Sequence, residues 1–290
     1  MSDHAITIIG SVNLDLVVRA KTLPTPGETV IGATLARYPG GKGANQALAA
    51  QRLGARTRLV ARVGNDAFAT EALALLTAEG VDVTRCDIDQ AAPTGVAFIA
   101  VSDAGENQIV VASGANMTLA PHHLPVALAE AVICQLEVPI ATIAHAVSVA
   151  QGFVCLNLAP AQAIAAEVLA RADLIVVNEL EAAFYGDQLH QGGGLVAITL
   201  GSRGADLYRR GALIATALPP TITPVDTTGA GDAFTAALTL AIIEGQGSQA
   251  ALDFACCVGA LTATKPGAQS ALPHRVEVEA FRAKLTLTKG

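Results

Sequence analysis

Apolar and polar positions along this chain repeat on two periods, near two residues in some stretches and near 3.6 in others. The short apolar run from Ala5 to Gly10 reads as a buried strand. Across Ser11 to Val18, Asn13 and Asp15 alternate with apolar residues, so a strand there carries both polar side chains on one face. Thr29 to Tyr38 predicts another strand. Helical spacing then covers Ala44 to Leu53, ended by Gly54, and Ala67 to Glu79, ended by Gly80, with a strand over Arg58 to Val63 between them. Gly95 to Ser102 and Asn107 to Ala112 read as a hairpin across Asp103-Ala104-Gly105-Glu106. Further on, helices are expected near Leu124–Glu130, Ile140–Ala150 and Ala161–Arg171. Strands are expected ending at Gln135-Leu136-Glu137 and over Phe153–Leu158, Leu174–Val177 and Leu195–Leu200. A β-rich run, Thr221 to Val225, leads to an apolar helix from Ala233 to Ile243. Strands alternating with helices predict an α/β fold with a parallel sheet covered on both faces. The hairpin and the strands near 14–38 interrupt that alternation and predict a small separate sheet.

At 290 residues the chain suffices for one large α/β domain with a small addition. A formal net charge of −7 argues against a general nucleic-acid surface. The five cysteines are odd in number and lack CxxC spacing, so neither a disulfide framework nor a zinc pattern emerges. Reduced thiols and a start without a signal-peptide pattern lead to the expectation of a cytoplasmic protein. The uncharged stretch 138–166 is broken by Pro139, His145, Asn157 and Pro160 and divides into a helix and a strand rather than a membrane span.

Candidate chemistry sits at two glycine-rich helix starts. In Val225-Asp226-Thr227-Thr228-Gly229-Ala230-Gly231-Asp232-Ala233-Phe234, glycines at a helix mouth let free N–H groups meet an anion, with the Asp232 carboxylate beside them. That pairing suits phosphoryl transfer, the carboxylate taking a proton from an attacking hydroxyl. A carboxylate that merely offsets the helix dipole is the alternative. Pro39-Gly40-Gly41-Lys42-Gly43 is the second start, with Lys42 and Asn45 placed to donate to a ligand or, equally, simply exposed. It is not a P-loop, lacking Ser or Thr after Lys42, nor a dinucleotide fingerprint, since Gln46 stands where the last glycine belongs. Asn13, Glu137, Asn178, Glu181, Thr199, Gly201 and Asp232 fall at or just past predicted strand ends, where parallel sheets bind ligands.

Gly40-Gly41-Lys42-Gly43-Ala44-Asn45-Gln46-Ala47 resembles the first signature of the PfkB-type carbohydrate kinases, and Asp226-Thr227-Thr228-Gly229-Ala230-Gly231-Asp232 resembles the second. Asn178-x-x-Glu181 matches the family's Asn-x-x-Glu motif. The segments Ser11–Asp15, Ser113–Asn116, Gln135–Glu137 and Thr199–Gly204 match the ribokinases of that family in order and spacing, so the likeness covers nearly all of the chain. It implies an ATP-dependent sugar kinase with a doubly wound, mostly parallel sheet over 1–13, 39–93 and 113–290, and a β-sheet lid over 14–38 and 94–112.

By the same resemblance Asp232 is the base, and the N–H groups of Gly229, Ala230 and Gly231 form the anion hole. Asn13, Leu14, Asp15, Gly41, Lys42, Gly43, Ala44, Asn45 and Glu137 join Asp232 around the sugar. Asn178, Thr199, Leu200, Gly201, Ser202, Arg203, Gly204, Gly231 and Cys256 line the ATP site. Glu181 holds Mg²⁺ through water, and Asp226, Thr228, Thr262, Lys265, Gly267 and Ala271 hold a monovalent cation, usually K⁺. Ala271 replaces a common serine, Pro266 stiffens the cation loop, and the segment between Asn178 and Leu195 is short. The expected ligands are a sugar and ATP, and the lid edges suggest a homodimer. Other readings are a relative acting on a different sugar or a nucleoside, a non-catalytic sugar-binding protein, and a Rossmann dehydrogenase.

Overall fold

The computed structural model describes residues 4–287. In chain order its strands and helices are β1 (Ala5–Ile9), β2 (Asn13–Ala20), β3 (Thr34–Gly40), α1 (Lys42–Arg52), β4 (Arg56–Gly64), α2 (Ala67–Ala78), β5 (Asp82–Asp89), β6 (Gly95–Ser102) and β7 (Asn107–Ala112). There follow β8 (Ala131–Gln135), α3 (Ile140–Val149), β9 (Val154–Asn157), α4 (Ala166–Arg171), β10 (Leu174–Asn178), α5 (Glu179–Tyr185) and β11 (Leu195–Thr199). The chain closes with β12 (Ala205–Arg209), β13 (Ala212–Ala217), α6 (Ala230–Ile243), α7 (Ser248–Thr262) and α8 (Arg275–Leu287).

Nine strands form one sheet in the order β13-β12-β11-β10-β9-β8-β1-β4-β5. It is parallel from β5 to β11, and β12 and β13 add on antiparallel. Starting at β1, the chain builds outward to β4 and β5, then returns to β8 and builds the other way. The β1/β8 boundary is therefore the switch point where such sheets open a crevice at the carboxyl ends of their strands.

Successive residues of the central strands enter opposite layers. Ile8, Ile133, Cys155 and Val176 pack with α1, α6 and α7, whereas Ile9, Val132, Leu156 and Val177 pack with α3 and α4. Burial on both faces explains why these strands read as unbroken apolar runs. The second sheet has four strands in the order β3-β2-β6-β7. Its β2 and β6 run parallel and start level, with Asn13 opposite Gly95, so one register sets both polypeptide crossings from sheet to sheet.

Several local expectations are corrected. No helix forms over Leu124–Glu130. A 3₁₀ turn at Pro121–His123 is followed by Pro125, which lacks an N–H and keeps Leu124 extended at ψ 152°. The helix expected from Ala161 begins only at Ala166. Gln162 instead gives its N–H to the Tyr185 hydroxyl (3.2 Å), which donates back to the Gln162 carbonyl (2.6 Å). The 221–225 run is not a strand. Pro219, Pro220 and Pro224 remove ladder donors around it, and α6 begins at Ala230, three residues earlier than its apolar spacing suggests. The 29–33 part of the second expected strand is irregular, with Gly32 at φ +82°. Strands β5, β12 and β13 and helices α5, α7 and α8 complete the fold beyond the elements read from periodicity.

Candidate active site

Helix α1 starts against the crossover from β1 to β2, and only glycine fits there. A Cβ on Gly43 would stand 2.6 Å from the Gly10 carbonyl carbon and the Ser11 nitrogen. Gly41 has φ +89°, and a Cβ there would be 2.8 Å from the Asn13 nitrogen and Ser11 oxygen. This close approach brings the first turn of α1 to the first turn of α6, and side chains distant in sequence meet. Asn45 Nδ2 donates to Asp232 Oδ2 and Gln46 Nε2 to Asp232 Oδ1, each at 2.9 Å. The Asp232 carboxylate is thus buried, with one protein donor on each oxygen. Asn45 spends its amide on Asp232, while its buried Oδ1 has no protein partner. It offers a ligand an acceptor, not the donor expected from sequence.

Asp15, Glu137 and Lys42 surround the same point. Ser11 Oγ donates to Glu137 Oε2 (2.5 Å), which also accepts the Lys42 N–H (3.2 Å), so Ser11 aims that carboxylate. Asn116 Nδ2 donates to Asn13 Oδ1 at 2.8 Å, leaving the Asn13 amide for another acceptor. Burial, reinforced by Glu137 and Asp232 and opposed by Lys42, raises the Asp15 carboxyl to a pKa of about 7. Burial pulls the Lys42 ammonium down, but Asp232, Glu137, Glu181 and Asp15 together push it above its ordinary value. Lys42 therefore stays charged.

A raised carboxyl pKa has a stability consequence. Between the ordinary value of 3.8 and about 7 the unfolded chain ionises Asp15 while the folded chain keeps it protonated, so stability falls as pH rises through that window. Asp15→Asn is expected to raise the thermal midpoint by roughly 5 °C or more at pH 8, a gain that shrinks steadily towards pH 4, at the cost of sugar affinity. Equal midpoints at pH 8, read by calorimetry, would place Asp15 in a more solvated setting.

Beyond Asp232 lie two connected spaces. A cavity of about 240 Å³ is bordered by Lys42, Asn178, Glu181, Gly229, Gly231 and Asp232. A larger one of about 600 Å³ is walled by Thr199, Gly201, Ser202 and Gly204 on one side and by Pro219, Pro220, Ile222, Phe234 and Cys256 on another. Nothing stands within 4 Å in front of Gly231. Gly229 caps α6 in the left-handed region at φ +78°, and the Ala230 N–H turns back onto the Thr227 carbonyl (3.2 Å). The donors left for an anion are those of the neighbouring residues at the helix mouth.

Asn178 and Glu181 cap α5 reciprocally, Asn178 N–H to Glu181 Oε2 at 2.8 Å and Glu181 N–H to Asn178 Oδ1 at 2.9 Å. The motif is thus a capping box that leaves one Glu181 oxygen over. Burial, against the Asn178 bond and Lys42, raises the Glu181 carboxyl above its usual range. Leu200 and Arg203 do not line the larger cavity, and Arg203 pairs with Glu179 on the surface. Leu14 is fully buried in the protein and Ala44 packs in the core. The thiol of Cys256 is buried and pushed up to about 12, so it meets the cavity as a neutral group.

The expected cation loop is bound to itself. Asp226 Oδ1 accepts from the Thr228 N–H (2.9 Å) and hydroxyl (2.6 Å), and Oδ2 accepts from the Gly267 N–H (2.9 Å). Burial raises that carboxyl, but these bonds outweigh it and hold it below its ordinary value. The Thr262 hydroxyl serves the Val258 carbonyl, the Lys265 ammonium serves Glu277, and Ala271 is wholly buried. Lys265 and Ala271 can reach a cation only through backbone oxygens, whereas the Thr262 hydroxyl oxygen keeps its lone pairs. In the same loop both amide atoms of buried Gln269 lack protein partners, as they would beside a bound ion or water. Among the described residues no cluster of three or more His, Cys, Asp or Glu is poised to hold a metal.

Gln46, Ser11, Asn116 and Asn157 shape this site although the sequence alone assigns them no role; Gln46, Ser11 and Asn116 lie in the segments that carry the family resemblance. A further signal is that Gln46 is polar within the otherwise small and apolar run Ala44–Ala50, beside Asn45.

The pfkB family carbohydrate kinases match residues 3–275. The chain belongs to this family. Among curated relatives, the ribokinase of Bacillus subtilis is 37% identical over 290 residues, covering 94% of this chain and 98% of its own. Among solved structures, the ribokinase of Thermotoga maritima superposes with a TM-score of 0.87 at 30% identity, over 97% of this chain and 99% of the other. An Arabidopsis thaliana ribokinase complexed with ribose and ATP gives a TM-score of 0.82 at 30% identity, over 96% and 98%. Family membership makes the chain a phosphotransferase with an alcohol acceptor, and these near-full-length likenesses support ATP-dependent phosphorylation of a sugar. A non-catalytic binding role and a dehydrogenase fall away with it.

Proposed function

We propose that this kinase is a ribokinase, transferring the γ-phosphoryl of ATP to the primary hydroxyl of D-ribose to give ribose 5-phosphate and ADP. The observation that carries the reading is the Asp232 carboxylate, oriented by Asn45 and Gln46 where the α6 N-terminus meets the Lys42, Asp15 and Glu137 cluster. Asp232 accepts the hydroxyl proton, and the N–H groups at Gly229 and Gly231 receive the transferred group. Asn13, Asp15, Asn45 and Glu137 pair with sugar hydroxyls, which penalises analogues that leave one of them unmatched. The walls of the larger cavity take the base of ATP. Glu181 and Asn178 sit where Mg²⁺ would be held through water, an ion that neutralises phosphate charge when bound.

The four-stranded sheet acts as a lid that excludes water during transfer. Leu35, Phe98 and Val110 are exposed on one face of it by their register, an apolar area suited to pairing with a second copy of the chain. The turn at Asp226–Thr228 and the loop from Lys265 to Ala271 hold a monovalent cation largely through carbonyl oxygens, and the five free thiols suit the cytoplasm. Among the described residues no helix is long and apolar enough to cross a membrane.

The test is ADP release from Mg-ATP with D-ribose, 2-deoxyribose, fructose or adenosine, with and without K⁺. Turnover selective for ribose and raised several-fold by K⁺ is expected. Preference for another acceptor would move the substrate assignment, and indifference to K⁺ would remove the cation. Light scattering of the same protein should give twice the chain mass.

A further inference from the structure

We infer that Gln46 is a positioning residue for phosphoryl transfer, its amide locked by a relay that fixes the Asp232 carboxylate. The inference rests on the reading of Asp232 as base.

The relay starts at the sheet. Asn157, at the end of β9, donates Nδ2 to the Val176 carbonyl at 3.1 Å. Its Oδ1 is therefore the atom turned towards Gln46, and it accepts Gln46 Nε2 at 3.0 Å. The second hydrogen of the same Nε2 goes to Asp232 Oδ1 at 2.9 Å. On the far side, Gln135 Nε2 donates to Gln46 Oε1 at 2.5 Å. Each link dictates the next, so the Gln46 amide has one orientation that satisfies its neighbours; flipped, it would face Asp232 and Asn157 with an oxygen against their oxygens.

Room for this arrangement is built into the backbone. A Cβ on Gly10 would lie 1.9 Å from Gln135 Oε1. Gln46 and Gln135 are both fully buried, where an unbonded amide atom is costly, and all of Gln46's polar atoms are bonded while Gln135 Oε1 is left without a protein partner. An apolar side chain of the same length would match the volume but leave Gln135 Nε2 and the Asn157 and Asp232 oxygens each short of a partner. What the amide adds is a bond to the carboxylate that receives the proton. Asn45 holds the other oxygen but has an unpaired Oδ1 able to take a further partner, whereas every polar atom of the Gln46 amide is already bonded. Gln46 is thus the fixed support of Asp232 and Asn45 the adaptable one.

The test is a double-mutant cycle on the full chain. Gln46→Met keeps length and removes the amide. Its kcat is expected to fall about 10–100-fold, the scale of a small misplacement of a reacting group, with the calorimetric sugar Kd within threefold. In an Asp232→Asn background the same substitution should change kcat by less than twofold, because Gln46 acts through Asp232. An unchanged kcat, or an equal fall in both backgrounds, overturns the inference. If Gln46→Met does not fold, Gln135→Met leaves Gln46 in place and frees its amide. A fall in kcat of threefold or more at constant sugar Kd is then expected, and no fall overturns it. Near-parental turnover by Asp232→Asn itself would instead remove the base assignment, an outcome separate from the failure of the relay.

Discussion

Asp232→Asn is expected to lower kcat about 10²–10⁴-fold while sugar affinity changes only a few-fold, because general base catalysis contributes on that scale. Both carboxylate oxygens accept from amides, Oδ1 from Gln46 and Oδ2 from Asn45. An Asn side chain offers only one oxygen, so its own NH₂ must face one of those donors. The variant therefore combines loss of the base with a local mismatch, and the two are separated by measurement. A lowered thermal midpoint reports the mismatch. Single-turnover phosphoryl transfer at saturating ATP and sugar reports the base. Turnover within a few-fold of the parent would show that the hydroxyl loses its proton elsewhere.

Lys42→Met should reduce kcat/KM for the sugar by about 10²-fold or more, the usual loss when a buried electrostatic contact to a reacting centre is removed. Lys42 is the cation that Asp15, Glu137, Glu181 and Asp232 share. Without it those carboxylates repel one another and the incoming phosphates, and the most buried of them protonates to relieve the charge. Lys42 lowers the Asp15 carboxyl from where burial, Glu137 and Asp232 would set it, about 7 being the balance. The rise of kcat/KM with pH, centred near that value in the parent, should thus move to higher pH in the variant. A pH profile that keeps its midpoint would mean that Lys42 does not face Asp15 in solution.

These effects depend on residues the sequence shows to different degrees. Period two in Ser11–Val18 puts Asn13 and Asp15 on one strand face, and that is geometry any strand obeys, so it holds in β2. The glycines at 41 and 43 announce close backbone approach and those at 229 and 231 an open helix mouth, and each precedes or opens a helix as their composition suggests. Expectations that depended on a run of suitable residues fared worse. Leu124–Glu130 has apolar spacing but also Pro125, and Thr221–Val225 has β-formers among three prolines. In both, a missing N–H outweighed the propensity of its neighbours.

The sequence alone determined the α/β alternation, the two-sided burial of the central strands, the two glycine-rich helix mouths and the family to which they belong. These are local properties, set by side-chain period and by which residues tolerate a conformation. Only the tertiary structure decided which polar groups share a hydrogen bond. The partners of Asp232 lie 187 and 186 residues away, and the Gln135 link to Gln46 spans 89. An amide looks alike in sequence whether it meets water or a carboxylate. Burial by a distant segment is what turns it into a fixed donor, and no period along the chain records that meeting.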